Sequence, residues 1–277
     1  LNLGMANKMD IQDQLAMLNS TSQQDQDDDE GLTSMSLVDH LEELRWRIFK
    51  VLIAIVIGST IAFIYRNLLI KFLEAPLPDT ANILGVKTGH PLVVTGLTEG
   101  FTTYLLISIV AGTILALPVL LYQTWAFIVP GLYDHEKKHA VPFVFIGLVL
   151  FIVGITLGYI VLRYPIQWLV DFASSSFTPL VTADSYFTFV AVFILVFGLI
   201  FELPLVLTFL AKVGLVSKET LQRKRAVSHV IMWVAATFAT PGADPYSPII
   251  LGIAMSFLYE LTIIFIRLFV KPETIEI

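Results

Sequence analysis

Eighteen consecutive residues, Ile48 to Tyr65, carry one charge, Lys50. A run of that length and polarity is long enough to cross a bilayer as a helix. It is not alone: charges, prolines and turn residues bound further apolar segments at about 98–122, 140–163, 186–210, 226–239 and 247–268. The first of the six runs is placed at about 47–68. Charged residues make up only 14% of the chain, against about 25% in soluble domains. The reading is an all-α integral membrane protein with six transmembrane helices, the fifth and sixth short.

Six crossings put both termini on one side, and the basic residues say which. Arg45, Arg47, Lys50, Lys137, Lys138, Lys212, Lys218, Arg223, Lys224, Arg225, Arg267 and Lys271 flank one side, and Arg66, Lys71, Lys87 and Arg163 the other. The positive-inside bias makes the first set cytoplasmic. The two long outer connections, about 69–97 and 164–185, are punctuated by Pro76, Pro78, Pro91, Pro165 and Pro179 and carry apolar residues such as Phe72, Trp168 and Phe172. Short helices lying along the outer interface are expected there. The fifth segment, Val227 to Ala239, spans about 20 Å, less than a hydrocarbon core of about 30 Å. Such a hairpin either thins the bilayer locally or is absorbed by packing.

The net charge of −6 is carried by residues 1–34, where seven acids face Lys8. This Gln-, Ser- and Asp-rich leader reads as a disordered acidic tail. It has neither the apolar stretch of a secretory signal nor the basic character of a transit peptide. Residues 35–270 read as the membrane domain and 271–277 as a short cytoplasmic tail. Absence of cysteine removes disulfides, thiolate metal sites and a cysteine nucleophile. Common hydrolase and phosphate-loop motifs are missing. His135 and His139, the only closely spaced histidines, lie beside lysines and make no metal site. Nothing points to a cofactor, an enzyme or nucleic-acid binding.

Five acidic positions carry the chemistry. In HLEELRWR, His40 to Arg47, Glu43 and Arg47 are spaced for a local i,i+4 ion pair. Glu43 is equally placed at the cytoplasmic mouth to receive a cation. Glu136, in LYDHEKK (Leu132 to Lys138), falls on the same side, so two carboxylates there could each take a guanidinium in forked geometry. Glu202 interrupts an apolar run with no cation within a turn. A carboxylate inside a membrane costs about 2.5–3.5 kcal/mol on insertion scales, which marks it for function or for a helix–helix hydrogen bond. Pro204 nearby frees a helical carbonyl. Glu260 can make a polar helix–helix contact or a loose pairing with Arg267. Asp244, in the turn TPGADPYSP (Thr240 to Pro248), can cap the helix that follows.

HLEELRWR, EAPLP (Glu74 to Pro78), LYQTWAFIVPGLYDHEKK (Leu121 to Lys138), FELP (Phe201 to Pro204) and TPGADP (Thr240 to Pro245), in this order, resemble the successive motifs of the TatC family. The chain departs from many relatives at PGAD, where they have PPD, and at Pro248, where they commonly carry Gln. The resemblance implies a glove-shaped, six-helix receptor of twin-arginine signal peptides with cytoplasmic termini. Glu43 and Glu136 would contact the paired arginines, with Arg45, Phe127 and Tyr133 beside them. Pro76, Pro130, Glu202 and Asp244 would be further sensitive positions. Small single-helix partners of the TatA and TatB type, the lipid bilayer and self-association are the implied contacts, and export of folded proteins would draw on the proton-motive force. A bacterial plasma membrane is the implied location, a thylakoid membrane the alternative. The competing reading from the residues alone is a proton-coupled carrier using Glu202 and Glu260.

Overall fold

The computed structural model describes residues 37–78, 92–128, 140–177 and 180–269. They form ten helices: α1 (Leu37–Ile64), α2 (Arg66–Glu74), α3 (Glu99–Ile128), α4 (Ala140–Val161), α5 (Arg163–Ser174), α6 (Ala183–Ile200), α7 (Leu203–Lys212), α8 (Lys218–Arg223), α9 (Arg225–Ala239) and α10 (Tyr246–Phe269). The described residues before Arg47 belong to one compact unit and those from Arg47 onward to a second. Five segments are long and apolar enough to cross a membrane: Leu41–Ile64, Glu99–Ile128, Pro142–Ser174, Ala183–Lys212 and Tyr246–Arg267, with Arg225–Ala239 a shorter apolar helix. Among the described residues no strand forms, only an isolated bridge between Val93 and Thr182.

Several boundaries differ from the hydropathy reading. α1 begins at Leu37, so HLEELRWR is helical itself and does not merely precede a helix. α3 runs on through the aromatic YQTWAFI stretch to Ile128 and passes Pro118 without ending. The fourth apolar run is broken between α6 and α7, at Phe201 and Glu202. The cause is Pro204, which has no N–H to give the carbonyl of Ile200 and sits instead in the first turn of α7. The outer segment after α4 is not a detached helix: only Leu162 separates α5 from α4, and Leu162 N to Gly158 O and Ile166 N to Leu162 O carry the hydrogen bonding across. The fifth helix is short, 15 residues or about 22 Å. The sixth is not: α10 has 24 residues, about 36 Å. Pro248 lies in its first turn, where a missing N–H removes no intrahelical bond.

The core centres on α6. Its buried residues, Ala183, Tyr186, Phe187, Val190, Ala191, Phe193, Ile194, Phe197 and Gly198, recur at alternating intervals of three and four, which makes a wide buried stripe. Phe193 and Phe197 stack with ring centres 4.7 Å apart. Against α4 the fit is reciprocal, with Gly198 facing the Phe151 ring while Gly154 and Gly158 face Phe197 and Phe201. In lipid, where helices gain nothing from burying apolar surface against each other, such close approach is what holds them together. α1 and α3 approach more closely still at Gly58 and Gly112.

The short segments α2 and α5 are tied down by named bonds, α2 through two tyrosines. Tyr159 of α4 donates to the Phe72 carbonyl at 2.7 Å, and its ring stacks on Phe72 at 4.4 Å. Tyr186 of α6 donates to the adjacent Leu73 carbonyl, also at 2.7 Å. These are two of the last carbonyls of α2, which have no partner inside their own helix. Pro76, in the EAPLP motif just beyond, is buried. At the other end of the molecule α7 closes on Gly214, whose φ of +77° is the left-handed conformation that favours glycine, with Leu215 N bonded back to Leu210 O.

Candidate functional site

Glu43 lies half-buried on α1, and Arg45, two residues on, is exposed. Glu136, Tyr133 and Pro130 fall outside the described residues. Phe127 is half-buried in the last turn of α3. One turn of that helix earlier, Gln123 accepts a hydrogen bond from Arg47 Nη1 at 3.1 Å. Between them Trp125 is buried, packed on Phe143 of α4 at 4.7 Å and edge-on to Phe209 of α7 at 4.9 Å. The aromatic motif therefore locks three helices together.

Glu202 occupies the elbow between α6 and α7. Its carboxylate is half-buried, and Oε1 is enclosed without a hydrogen-bond donor among the described residues. Space for it comes from Gly147 of α4. A Cβ there would stand 3.1 Å from Glu202 Oε2, 3.2 Å from Leu121 of α3 and 3.0 Å from Leu205 of α7. An acid walled by leucines and a glycine, at a break in its helix, can take a donor from an incoming group. Pro204, which causes the break, is half-buried at the start of α7, and Thr208 Oγ1 donates to its carbonyl at 2.6 Å.

Asp244 is 3% exposed. Its Oδ1 accepts from Ser247 N at 2.7 Å and its Oδ2 from Ser247 Oγ at 2.6 Å. It caps α10, as its turn position suggested, and a partner reaching for this carboxylate would compete with Ser247. Glu260 does make an interhelical contact, though not with Arg267. Its Oε1 accepts from Arg225 Nε at 2.5 Å and from His229 Nε2 at 2.9 Å, both on α9. It is thereby committed to a structural pairing, which removes the basis for joining it with Glu202 in a carrier.

Two positions escaped the sequence reading. One is His229, and the hairpin could have exposed it. Arg225 and Glu260, and His229 and Ser256, are equally far from the Gly242–Ala243 bond at the turn, so antiparallel helices bring each pair together. The other is Glu99, whose Oε2 accepts from Thr95 N, Thr95 Oγ1 and Gly96 N at 2.6–2.9 Å, while Oε1 accepts from Asp184 N at 3.3 Å. It joins the start of α3 to the start of α6, beside the Val93–Thr182 bridge. The signal was a Thr four residues ahead of a Glu at a helix start, a variant of the reciprocal capping pattern.

Comparison with known proteins gives these placements a context. The family profile of the Sec-independent protein translocase protein (TatC) matches residues 39–253. The Sec-independent protein translocase protein TatC of Desulforapulum autotrophicum is 40% identical over 236 residues, 85% of each chain. That of Carboxydothermus hydrogenoformans is 36% identical over 240 residues, 86% of this chain and 95% of the relative. Among solved structures, a twin arginine translocase receptor TatC crystallised in DDM superposes with a TM-score of 0.69 at 34% identity, covering 82% of this chain and 98% of that one. The relatives are components of a protein translocase, not enzymes. With five to six apolar helices and that breadth of agreement, the chain is a multi-pass bacterial membrane protein that belongs to the TatC family of Sec-independent protein translocases.

Proposed function

We propose that this chain is the receptor subunit of a twin-arginine translocation system, with both termini in the cytoplasm. Glu43 and Glu136 together hold the two adjacent arginines of a signal peptide, with Arg45, Phe127 and Tyr133 lining the approach. A planar guanidinium offers each carboxylate two parallel donors, which a lysine ammonium cannot. The peptide's apolar part then runs along the membrane domain toward Glu202. Single-helix partners of the TatA and TatB type dock at the α9–α10 hairpin, where α9 at about 22 Å is too short for a full hydrocarbon core. Export of folded cargo is driven by the proton-motive force.

The observation that carries this reading is the likeness, at 34% identity over 82% of this chain and 98% of the other, to a solved twin arginine translocase receptor. A half-buried Glu43 on a helix that starts ahead of the membrane run supports it. Crosslinking of a twin-Arg and a twin-Lys signal peptide to wild type and to the Glu43→Gln/Glu136→Gln variant tests it. Strong labelling is expected only for twin-Arg on wild type; equal labelling in all four combinations would remove the acidic site. Transport by Glu202→Gln and Glu202→Ala separates the role of the elbow acid. Gln is expected to retain more activity than Ala, and full activity in both would reduce Glu202 to packing.

A further inference from the structure

Where α1 leaves the membrane, a guanidinium is fixed in place with most of its donors uncommitted. The apolar run of α1 ends at Ile64, and hydrogen bonds from Leu68 N and Leu69 N to Tyr65 O carry the chain into α2. Arg66, at that junction, is half-buried. Its Cζ lies 5.0 Å from the centre of the Phe63 ring and 5.6 Å from that of Tyr104 on α3. Its Nη1 donates to the Phe63 carbonyl at 3.2 Å. A long side chain that merely snorkels is free to swing out into water; two rings and a carbonyl hold this one where it is.

The charge is not neutralised from within the fold. Among the described residues no carboxylate pairs with Arg66. Glu99, on the same helix as Tyr104, gives its carboxylate to Thr95, Gly96 and the amide of Asp184. A guanidinium presents several N–H donors in a planar fork, and the Phe63 carbonyl occupies only one side of it.

The surface beside the fork is apolar. Phe101 and Leu105 are exposed on α3. Phe101 is one turn from both Tyr104 and Leu105, so it lies on their side of the helix. A group that satisfies Arg66 must therefore bring a forked anionic acceptor and an apolar body together. Phospholipid does both: its phosphate oxygens accept paired N–H bonds, and its chains cover Phe101 and Leu105. A zwitterionic headgroup carries its own cation, whereas an anionic one leaves its charge for the arginine.

We infer that Arg66, held between Phe63 and Tyr104, binds the phosphate of an anionic phospholipid in the leaflet at the α2 end of the bundle. The site uses none of the residues assigned above to peptide recognition.

The test uses the full chain in phosphatidylcholine nanodiscs doped with photoactivatable phosphatidylglycerol or with a photoactivatable diacylglycerol of the same chains. Labelled peptides are mapped by mass spectrometry. On wild type, labelling of residues 101–105 is expected to be about tenfold stronger with phosphatidylglycerol than with diacylglycerol, which lacks the phosphate. Arg66→Gln should reduce it to the diacylglycerol level, and Arg66→Lys, which keeps the charge without the fork, should fall between. Lys224→Gln, at an exposed cation elsewhere, should leave it unchanged, as should added inorganic phosphate. Equal labelling of wild type by the two lipids, or an Arg66→Gln protein labelled as strongly as wild type, overturns the inference. So does an equal fall in Lys224→Gln, which would make the effect one of general surface charge, or displacement by inorganic phosphate, which would make the site one for a free anion.

Discussion

Replacing Gly112 with alanine should force α1 away from α3. A Cβ on Gly58 would stand 2.6 Å from the Gly112 carbonyl oxygen, about 0.8 Å short of the 3.4 Å at which ordinary contact begins. A Cβ on Gly112 is worse placed. It would overlap the backbone N and Cα of Ser59 together with its hydroxyl, and backbone cannot swing aside as a side chain can. Overpacking costs about 1–3 kcal/mol, and a backbone collision belongs at the upper end. Alanine's better helix propensity offsets about 1 kcal/mol. The net loss of about 2 kcal/mol corresponds to roughly 4–8 °C in Tm for a chain of this size. Thermal unfolding in detergent, followed by tryptophan fluorescence, reads it directly. Gly100→Ala in the same helix is the control, because a Cβ there meets nothing within 4 Å; its Tm should equal or exceed that of wild type. Gly58→Ala should fall between the two. A Gly112→Ala protein as stable as the Gly100→Ala control would refute the claim that these helices touch backbone to backbone.

Tyr186→Phe leaves the Leu73 carbonyl without its donor, at a cost of about 1–3 kcal/mol, and should raise proteolysis near α2 without altering helix content by circular dichroism. Asp244→Asn keeps an acceptor for Ser247 and should retain most of the cap, whereas Asp244→Ala should lose about 1–2 kcal/mol, seen as a lower Tm and faster exchange at the start of α10. Glu99→Gln weakens the charged acceptor that gathers Thr95 and Gly96, so those two amides should exchange faster while the helix core does not change.

Apart from the start of α1 and the end of α3, apolar run length places the membrane helices within a few residues, because in lipid the run and the helix answer to the same demand for internal hydrogen bonds. What hydropathy could not show were events at single polar atoms. Across the elbow at Phe201–Glu202 the apolar run resumes after the single Glu202, and only Pro204 marks a break in the helix. α1 starts ten residues ahead of the expected 47 because Glu and Arg are good helix formers, so the charges of HLEELRWR do not bound the helix. For Glu260 the sequence points to a helix–helix contact or a loose pairing with Arg267, but it does not name the partners on the other helix. Its partners lie across a hairpin, visible only once the turn fixes which residues face each other. Asp244 was legible because a cap is a local device, needing only its own loop and Ser247. The acidic mouth rests on composition alone, since Glu136 lies beyond the described residues.

The two tyrosine bonds to α2 have a mechanical corollary. The carbonyls they hold belong to neighbouring residues, Phe72 and Leu73, but the hydroxyls come from different helices, α4 and α6. If those two helices slide lengthwise past each other by more than a hydrogen bond can stretch, one tyrosine must let go. Shear deep in the bundle is thereby converted into release of a short segment at its rim.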